Sequence, residues 1–361
     1  LRPQKKIPVF NLKEFEHYFW DFKPEVYKKK YSDLKNLSVI ELKYHYFLIG
    51  RFQRRIYNNG IKILIVCDEI NANNTNLASG GLTALYNLGK MINECKYKNI
   101  YAKMYTMSRK NTLNPYCNIF AYENEINPRT LVIYPDGTLN NPLNARHVMR
   151  WILLELGTSY RSLDTYKTWD PYNLVYHWEP SVISDNTKIL NVTFVDSIFE
   201  NKNFIRKNES CYLIKKRTFY TNSINYIHPT NSICIDNKCK ENVVNIFNES
   251  VKFYCYDLNT FLSVAAIICG CKVIYYPDNK TKKEFVSKTL FNNFIKFENM
   301  VAWGENDIAN INYNENDIKE MIEYIKSLSN TLNIFLEDIY NYFNGNYVNI
   351  PTVKSVYYLK N

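Results

Sequence analysis

Ile61-Lys62-Ile63-Leu64-Ile65-Val66-Cys67 is an almost unbroken run of β-branched and aliphatic residues placed directly after Gly60. A strand covered on both faces does not need the apolar and polar alternation of a half-exposed one, so the run predicts a central strand of a parallel sheet. The residues that follow fit that reading. A polar loop from Asp68 to Thr75, a Ser79-Gly80-Gly81 turn, and apolar residues at Leu82, Leu85, Tyr86, Leu88, Met91 and Ile92 read as strand, glycine turn and helix. Tyr101 to Met107 and Leu131 to Tyr134 read as further strands. Asn144 to Leu156 reads as a capped helix carrying Val148, Met149, Trp151 and Ile152 in its periodicity.

Upstream of this core, Val9 to Tyr18 and Asp33 to Phe52 carry helical spacing. Downstream, an Asn/Lys-rich stretch from Glu200 to Asn208 reads as a linker. A second set of strands follows at Cys211 to Ile214, Ser232 to Ile235, Val251 to Tyr254 and Lys272 to Tyr276. Helical patterns lie at Thr260 to Cys269, along Ile318, Met321, Ile322, Ile325 and Leu328, and along Phe335, Leu336, Ile339 and Phe343. The expected fold class is therefore α/β, with two doubly wound domains. The expected division is a helical extension at 1–59, a first α/β domain at 60–204, a second at 205–325, and helices at 326–361 that return toward the first domain.

A chain of 361 residues is long for one domain and suits two. With 46% hydrophobic and 22% charged residues it can fill real cores, which excludes intrinsic disorder. No apolar run approaches the ~20 residues of a membrane helix. No signal peptide is read in the opening residues, and the cytoplasm is the expected location, a host's if the source is viral. The net charge of +10 points to an anionic partner, but the basic residues are scattered rather than striped, which argues against nucleic acid. Nine cysteines without a C-x-x-C pair read as reduced thiols, with no metal site expected. His177 and His228 stand near predicted strand ends and read first as structural groups. No G-x-G-x-x-G follows the first strand and no G-x-x-x-x-G-K-[ST] occurs, so hydride transfer and P-loop hydrolysis lose ground.

Two segments carry chemistry. In Phe253 to Val273, Asp257, Asn259 and Thr260 stand at the mouth of a predicted helix, where unsatisfied amides and the positive end of the dipole suit a diphosphate. A plain N-cap is the other reading of Asp257 or Asn259. In Ile133 to Leu153, a strand brings Asp136 to the sheet edge, Pro142 stops pairing, and Asn144 caps the helix expected to carry Arg150. Asp136 could be a general base on an acceptor hydroxyl, a group that only binds the acceptor, or a turn residue before Gly137.

The first segment resembles the donor-binding helix of two-domain GT-B glycosyltransferases, in the form Y-D-x-x-T-x-x-S-x-x-A-x-x-C-G-C. The second is similar to the Y-P-E-x-x-x-x-N-P-L-N-A-x-x-V-x-R-W segment of bacterial polysaccharide glycosyltransferases related to rhamnan synthesis. Phe22 to Leu34, with His45-Tyr46-Phe47 and Gly50-Arg51, resembles a module of bacterial and giant-virus glycosyltransferases; a generic helical hairpin is the alternative. One departure matters. Retaining relatives carry a Glu for the donor ribose in S-x-E-A, and here that position is Ala265.

The resemblance implies a cytosolic, metal-independent glycosyltransferase built from two Rossmann-like domains, moving a sugar from a nucleotide diphosphate sugar to a saccharide acceptor in glycan or polysaccharide synthesis. It implies donor contacts at Gly80, Gly81, Lys215, Arg217, Tyr256, Asp257 and Thr260, acceptor contacts at Asn141, Asn144 and Arg150, and a catalytic Asp136. A cation among Lys215, Lys216 and Arg217 would hold the departing diphosphate. No cofactor is implied beyond the nucleotide sugar. No nucleic-acid partner or membrane span is implied, though peripheral membrane contact is compatible. The rivals are a non-catalytic sugar- or nucleotide-binding module of the same fold, made plausible by Ala265, and a non-hydrolysing epimerase, which would act without an acceptor.

Overall fold

A computed structural model describes residues 10–67, 80–106, 125–154, 156, 163–178, 187–192, 196–214, 226–257, 260–275, 299–328, 330–346 and 348–358. The chain starts with three short helices, α1 (Leu12–Tyr18), α2 (Pro24–Lys30) and α3 (Val39–His45). Each has a local reason to begin where it does. The Asn11 side chain accepts from the amides of Lys13 and Glu14, Pro24 opens α2, and Ser38 with Glu41 forms a reciprocal capping box on α3. Their shared core is aromatic, with Phe15, Phe19, Phe22, Tyr27, Tyr46, Phe47 and Tyr57 buried together.

β1 (Ile61–Cys67) follows and is buried at every residue, as its composition requires. Then come α4 (Gly80–Cys95), β2 (Ile100–Thr106), β3 (Thr130–Pro135), β4 (His147–Ile152) and β5 (Leu174–His177). These strands form one parallel sheet in the order β2-β1-β3-β4-β5, with Ile61 opposite Ile100 and Lys62 opposite Thr130. The second sheet uses β6 (Asn208–Leu213), β7 (Ile233–Cys234), β8 (Ser250–Cys255), β9 (Lys272–Tyr275) and β10 (Val301–Trp303). Its order is β10-β9-β8-β6-β7, again parallel. Counted from its own first strand, each sheet reads 2-1-3-4-5. The chain thus builds one doubly wound, Rossmann-like topology twice.

The helices of the second half are α5 (Lys240–Glu249), α6 (Leu262–Ile268), α7 (Glu315–Leu328) and α8 (Thr331–Phe343). One face of the second sheet buries Phe253, Cys255, Val273 and Tyr275 with Val244 and Phe247 of α5, Ala265 and Ile267 of α6, and Met321 and Ile325 of α7. α8 belongs to the other sheet. Its Leu332, Phe335, Leu336 and Ile339 share a core with Ile63, Ile133, Met149, Trp151 and Tyr176. The hydroxyl of Tyr176 donates to Asp338, and Thr331 exchanges hydrogen bonds with the Asn191 backbone. Beyond α8, residues 351–353 bond to the backbone along β5, from Val175 to Pro351 and from Val353 to Asn173, which covers that sheet edge.

The N-terminal helices do not hang free of the first sheet. Lys62 of β1 and Lys103 of β2 point to the face opposite α4 and meet Asp21 and Glu125 in a buried cluster. Lys62 lies 2.8 Å from Glu125, and Lys103 lies 2.8 Å from both carboxylates. Tyr57 and Asn58 add hydrogen bonds to Asp21. Burial opposes ionisation of Asp21, yet the charges of Lys103 and Lys62 prevail and bring its pKa down to about 2.

The segment 144–156 corrects the sequence reading. It forms strand β4, not a helix, and Asn144 is a turn residue with a left-handed φ of 47°. Both faces of β4 are covered, Met149 and Trp151 by the α8 side and Val148 and Ile152 by the other, so the apolar pattern lost the alternation that marks a strand. The predicted N-terminal helix at Asp33 to Phe52 breaks into a 3₁₀ turn at Ser32–Leu34, α3, and a π-turn at Tyr46–Gly50.

Candidate functional site

In the order 2-1-3-4-5 the winding direction reverses between the first and third strands, and ligands bind beyond the carboxyl ends of those two strands. In the first sheet these are the ends of β1 and β3; in the second, of β6 and β8. The residues singled out from the sequence fall after these strands, with differing surroundings.

After β3, Asp136 is wholly buried, and its carboxylate accepts the amide of Leu154 at 3.0 Å. That bond engages one of its two carboxylate oxygens, Oδ2. Arg150 is buried too. Its guanidinium donates to Asn173 at 3.1 Å, to the Thr138 carbonyl at 2.9 Å and to the Asn140 carbonyl, and stacks over the rings of Tyr134 and Trp169. Burial lowers its pKa to about 10, with Tyr134 and Asp170 working against the shift. Asn141 accepts from Tyr134 and from the Ala145 amide and donates to the Ala145 carbonyl. The Asn144 carbonyl accepts from Arg54. These groups shape the β3–β4 connection, and their hydrogen-bonding capacity is largely spent on it.

Gly80 and Gly81 open α4, so the glycine turn is the first turn of a 16-residue helix following β1. Among the described residues, a Cβ at Gly81 would meet Leu153 at 3.7 Å, an ordinary contact. Lys215, Lys216, Arg217 and Asn259 lie outside the described residues.

The second switch point is aromatic. Tyr212 near the end of β6 stacks on His228 with ring centroids 3.9 Å apart and planes 11° from parallel. Tyr256, just past β8, is buried; its hydroxyl receives the amides of Ile227 and His228 and contacts Nδ1 of His228 at 2.9 Å. Tyr226 packs against both His228 and Tyr256 and is half exposed. Asp236 accepts the Ile214 amide at 3.0 Å and so fixes the chain as it leaves β6. Burial lowers the His228 pKa, which keeps the ring neutral. Asp257 is buried, and its carbonyl accepts from the Cys255 thiol.

The helix after β8 is shorter than its sequence pattern. It runs from Leu262 to Ile268, and Thr260 stands just before it, with its hydroxyl accepting the Leu262 amide at 3.3 Å and its carbonyl accepting the Ser263 hydroxyl. Ala265 is completely buried against the second sheet. A glutamate there would be an unpaired charge in a core, which accounts physically for the departure from S-x-E-A. Sequence reasoning weighed His228 as a structural ring and did not single out Tyr212. The available signal was Tyr254 and Tyr256 two apart at a strand end, which sets large rings on one face of the sheet.

Among the described residues, no group of three or more His, Cys, Asp or Glu side chains could hold a metal ion. No described helix is long and apolar enough to cross a membrane.

No protein-family model matches the chain, and no curated protein does. Two solved structures align with much of the chain. The glycosyltransferase AviGT4, involved in avilamycin A biosynthesis, aligns over 79% of this chain and 98% of its own with 8% identity and a TM-score of 0.45. A Listeria monocytogenes protein named for UDP-N-acetylglucosamine 2-epimerase aligns over 80% of this chain and 100% of its own, with 10% identity and a TM-score of 0.38.

Proposed function

We propose that this chain is a glycosyltransferase that moves a sugar from a nucleotide diphosphate sugar to a saccharide acceptor in glycan or polysaccharide synthesis. The observation that carries the reading is the repeated 2-1-3-4-5 sheet, which supplies two switch points, one for each of two substrates. The segment from Tyr256 to Cys271 resembles the donor-binding helix of GT-B glycosyltransferases and follows β8, and the segment from Tyr134 to Trp151 resembles bacterial polysaccharide glycosyltransferases and starts at the end of β3, both switch-point strands. In this reading the second sheet takes the donor. Thr260 and the amides after it face the diphosphate, a cation from Lys215 to Arg217 balances its charge, and Tyr212, Tyr226 and His228 form a flat surface for a ring. The displacement at the anomeric carbon proceeds without a metal, the developing charge on the leaving diphosphate being met by that cation and those amides.

One observation favours a second reading, a non-catalytic binding module of the same fold. The only carboxylate singled out as a base, Asp136, is buried and holds the Leu154 amide. The two readings part on turnover. A thermal-shift panel of nucleoside diphosphates should find one that stabilises the protein, by about 2.7 kcal/mol at 100 times its dissociation constant. The sugar nucleotide of that base should then release its diphosphate in the presence of an acceptor glycan, with turnover unaffected by strong chelation. Binding without release supports the module; no binding by any nucleotide overturns the transferase, and no binding by any nucleotide or sugar overturns the module as well.

A further inference from the structure

The first 59 residues hold 13 of the 45 Lys and Arg but only 6 of the 35 Asp and Glu, so they carry a net +7 against +3 for all the rest. The same segment exposes large apolar side chains over the outer face of α3 and the turn after it. Val39, Ile40, Tyr44, Ile49 and Phe52 are 53%, 62%, 50%, 44% and 55% exposed, while Leu42, Tyr46, Phe47 and Gly50 between them are buried. The backbone explains the spacing. Ile40 and Tyr44 are one α-helical turn apart on α3, and the π-turn at Tyr46–Gly50, closed by the Arg51 amide on the Tyr46 carbonyl, takes an extra residue. Ile49 is thereby carried round toward the side of Tyr44, away from Leu42 and Tyr46 in the core.

Amines surround this stripe. Lys28 donates to the Leu37 carbonyl at 2.8 Å, which holds the basic end of α2 beside the start of α3, with Lys29, Lys30 and Lys35 exposed there. Lys43 and Arg55 are already paired, with Glu16 and Asp33. Among the described residues Lys29, Lys30 and Lys35 form no ion pair, and Arg54 at the far end bonds the Asn144 carbonyl rather than an acid, so unneutralised charge lies at both ends of this face, with Glu41 the acid upon it.

We propose that the outer face of α3 and the turn after it is a docking surface for an anionic lipid bilayer. The surface presents exposed apolar side chains on an outer helix face beside amines, which suits insertion among lipid headgroups, where the apolar groups enter and the amines meet lipid phosphates. A protein partner or a second copy would bury the stripe as one patch and would gain nothing from unpaired lysines at its end. This inference stands apart from the transferase reading, since neither switch point contributes to it.

The test is co-sedimentation of the full chain with vesicles of phosphatidylcholine alone and of phosphatidylcholine mixed with phosphatidylglycerol. Binding is expected only to the mixed vesicles and should fall as salt is raised. Ile40→Asp and Tyr44→Asp should abolish it, and Lys35→Glu should weaken it about fivefold or more. Tyr172→Asp, which alters an equally exposed ring elsewhere, should bind as the parent does. All four positions are at the surface, so unchanged unfolding curves are expected to confirm that each variant folds. Absence of binding to the mixed vesicles at low salt overturns the proposal. So does binding retained by Ile40→Asp and Tyr44→Asp, or a stripe whose mutation disrupts self-association rather than vesicle binding.

Discussion

The phenolic oxygen of Tyr256 and Nδ1 of His228 stand 2.9 Å apart, and this contact sets the tautomer of the histidine. The phenol receives amides from Ile227 and His228, and with its oxygen accepting both, the contact with Nδ1 is made by the phenol donating. Nδ1 is then an acceptor. Because burial keeps the ring neutral, its proton is on Nε2, which makes His228 a hydrogen-bond donor stacked flat on Tyr212. Nitrogen NMR of the ring should show the Nε2–H form, and Tyr256→Phe should shift the population toward Nδ1–H. A parent protein in the Nδ1–H form would break this assignment.

Thr260 spends an acceptor site on the Leu262 amide and keeps its proton to donate. Thr260→Val preserves the shape and removes that donor. Nucleoside diphosphate binding, read by calorimetry, should weaken by about 1 to 2 kcal/mol, the scale of one hydrogen bond to a charged group. Unfolding of the unliganded protein should hardly change. Equal affinity in parent and variant would make Thr260 part of the helix entry only.

His177, at the end of β5, is buried, and burial pushes its pKa down to about 4. A base depressed in the folded state costs nothing while it is neutral in both states, above pH 6.5. As pH falls the unfolded chain takes up the proton first, so stability drops between about pH 6.5 and pH 4, by about 3 kcal/mol in all. Burial displaces His45, His147 and His228 in the same direction, which adds to the slope. Urea unfolding at pH 7 and pH 4.5 should therefore differ more for the parent than for His177→Gln. An equal difference in the two would remove His177 from this account.

Gly270 closes α6 with φ of +84°, and a Cβ there would stand 2.5 Å from Nη2 of Arg206. That guanidinium ties together the carbonyls of Phe247, Ser250 and Cys269. Gly270→Ala combines left-handed strain with displacement of a charged donor, and should destabilise the protein by about 2 to 4 kcal/mol in urea unfolding. A loss under 1 kcal/mol would mean that Arg206 can move aside freely.

Legibility of the fold in the sequence followed covering. β1 was plain because its seven consecutive buried residues are rich in β-branched side chains and follow Gly60, whereas α6, equally long and equally buried, carries Leu, Ser and Ala. β4 was misread because Arg150, a charged residue in the interior, is satisfied by carbonyls and a side chain distant in sequence. Leu174–His177 and Val301–Trp303 are too short to show a period, and α5, with Asn242, Asn245 and Asn248 among its residues, has no helix assigned from the sequence, although Asn248 is buried and bonded to Val244 and Glu200 carbonyls. At the site, topology placed Tyr256, Asp257 and Thr260 after a switch-point strand as the glycine and helix pattern suggested. The roles imagined for Asn141, Asn144 and Arg150 could not be told from turn architecture, because hydrogen bonds that hold a loop and hydrogen bonds that await a ligand use the same residue types.

α8 completes the core of the first sheet although it is made last, after every strand of the second. During synthesis, the first sheet therefore leaves the ribosome with the part of its α4 face that α8 covers, over Met149, Trp151 and Tyr176, still bare, and stays so while about 150 further residues emerge. The second sheet has all its own helices by Leu328 and can close first. Its folding rate then bears on how long the earlier half is exposed to misassociation, and a chain stopped short of α8 would present that bare core to chaperones and proteases rather than a smaller working protein.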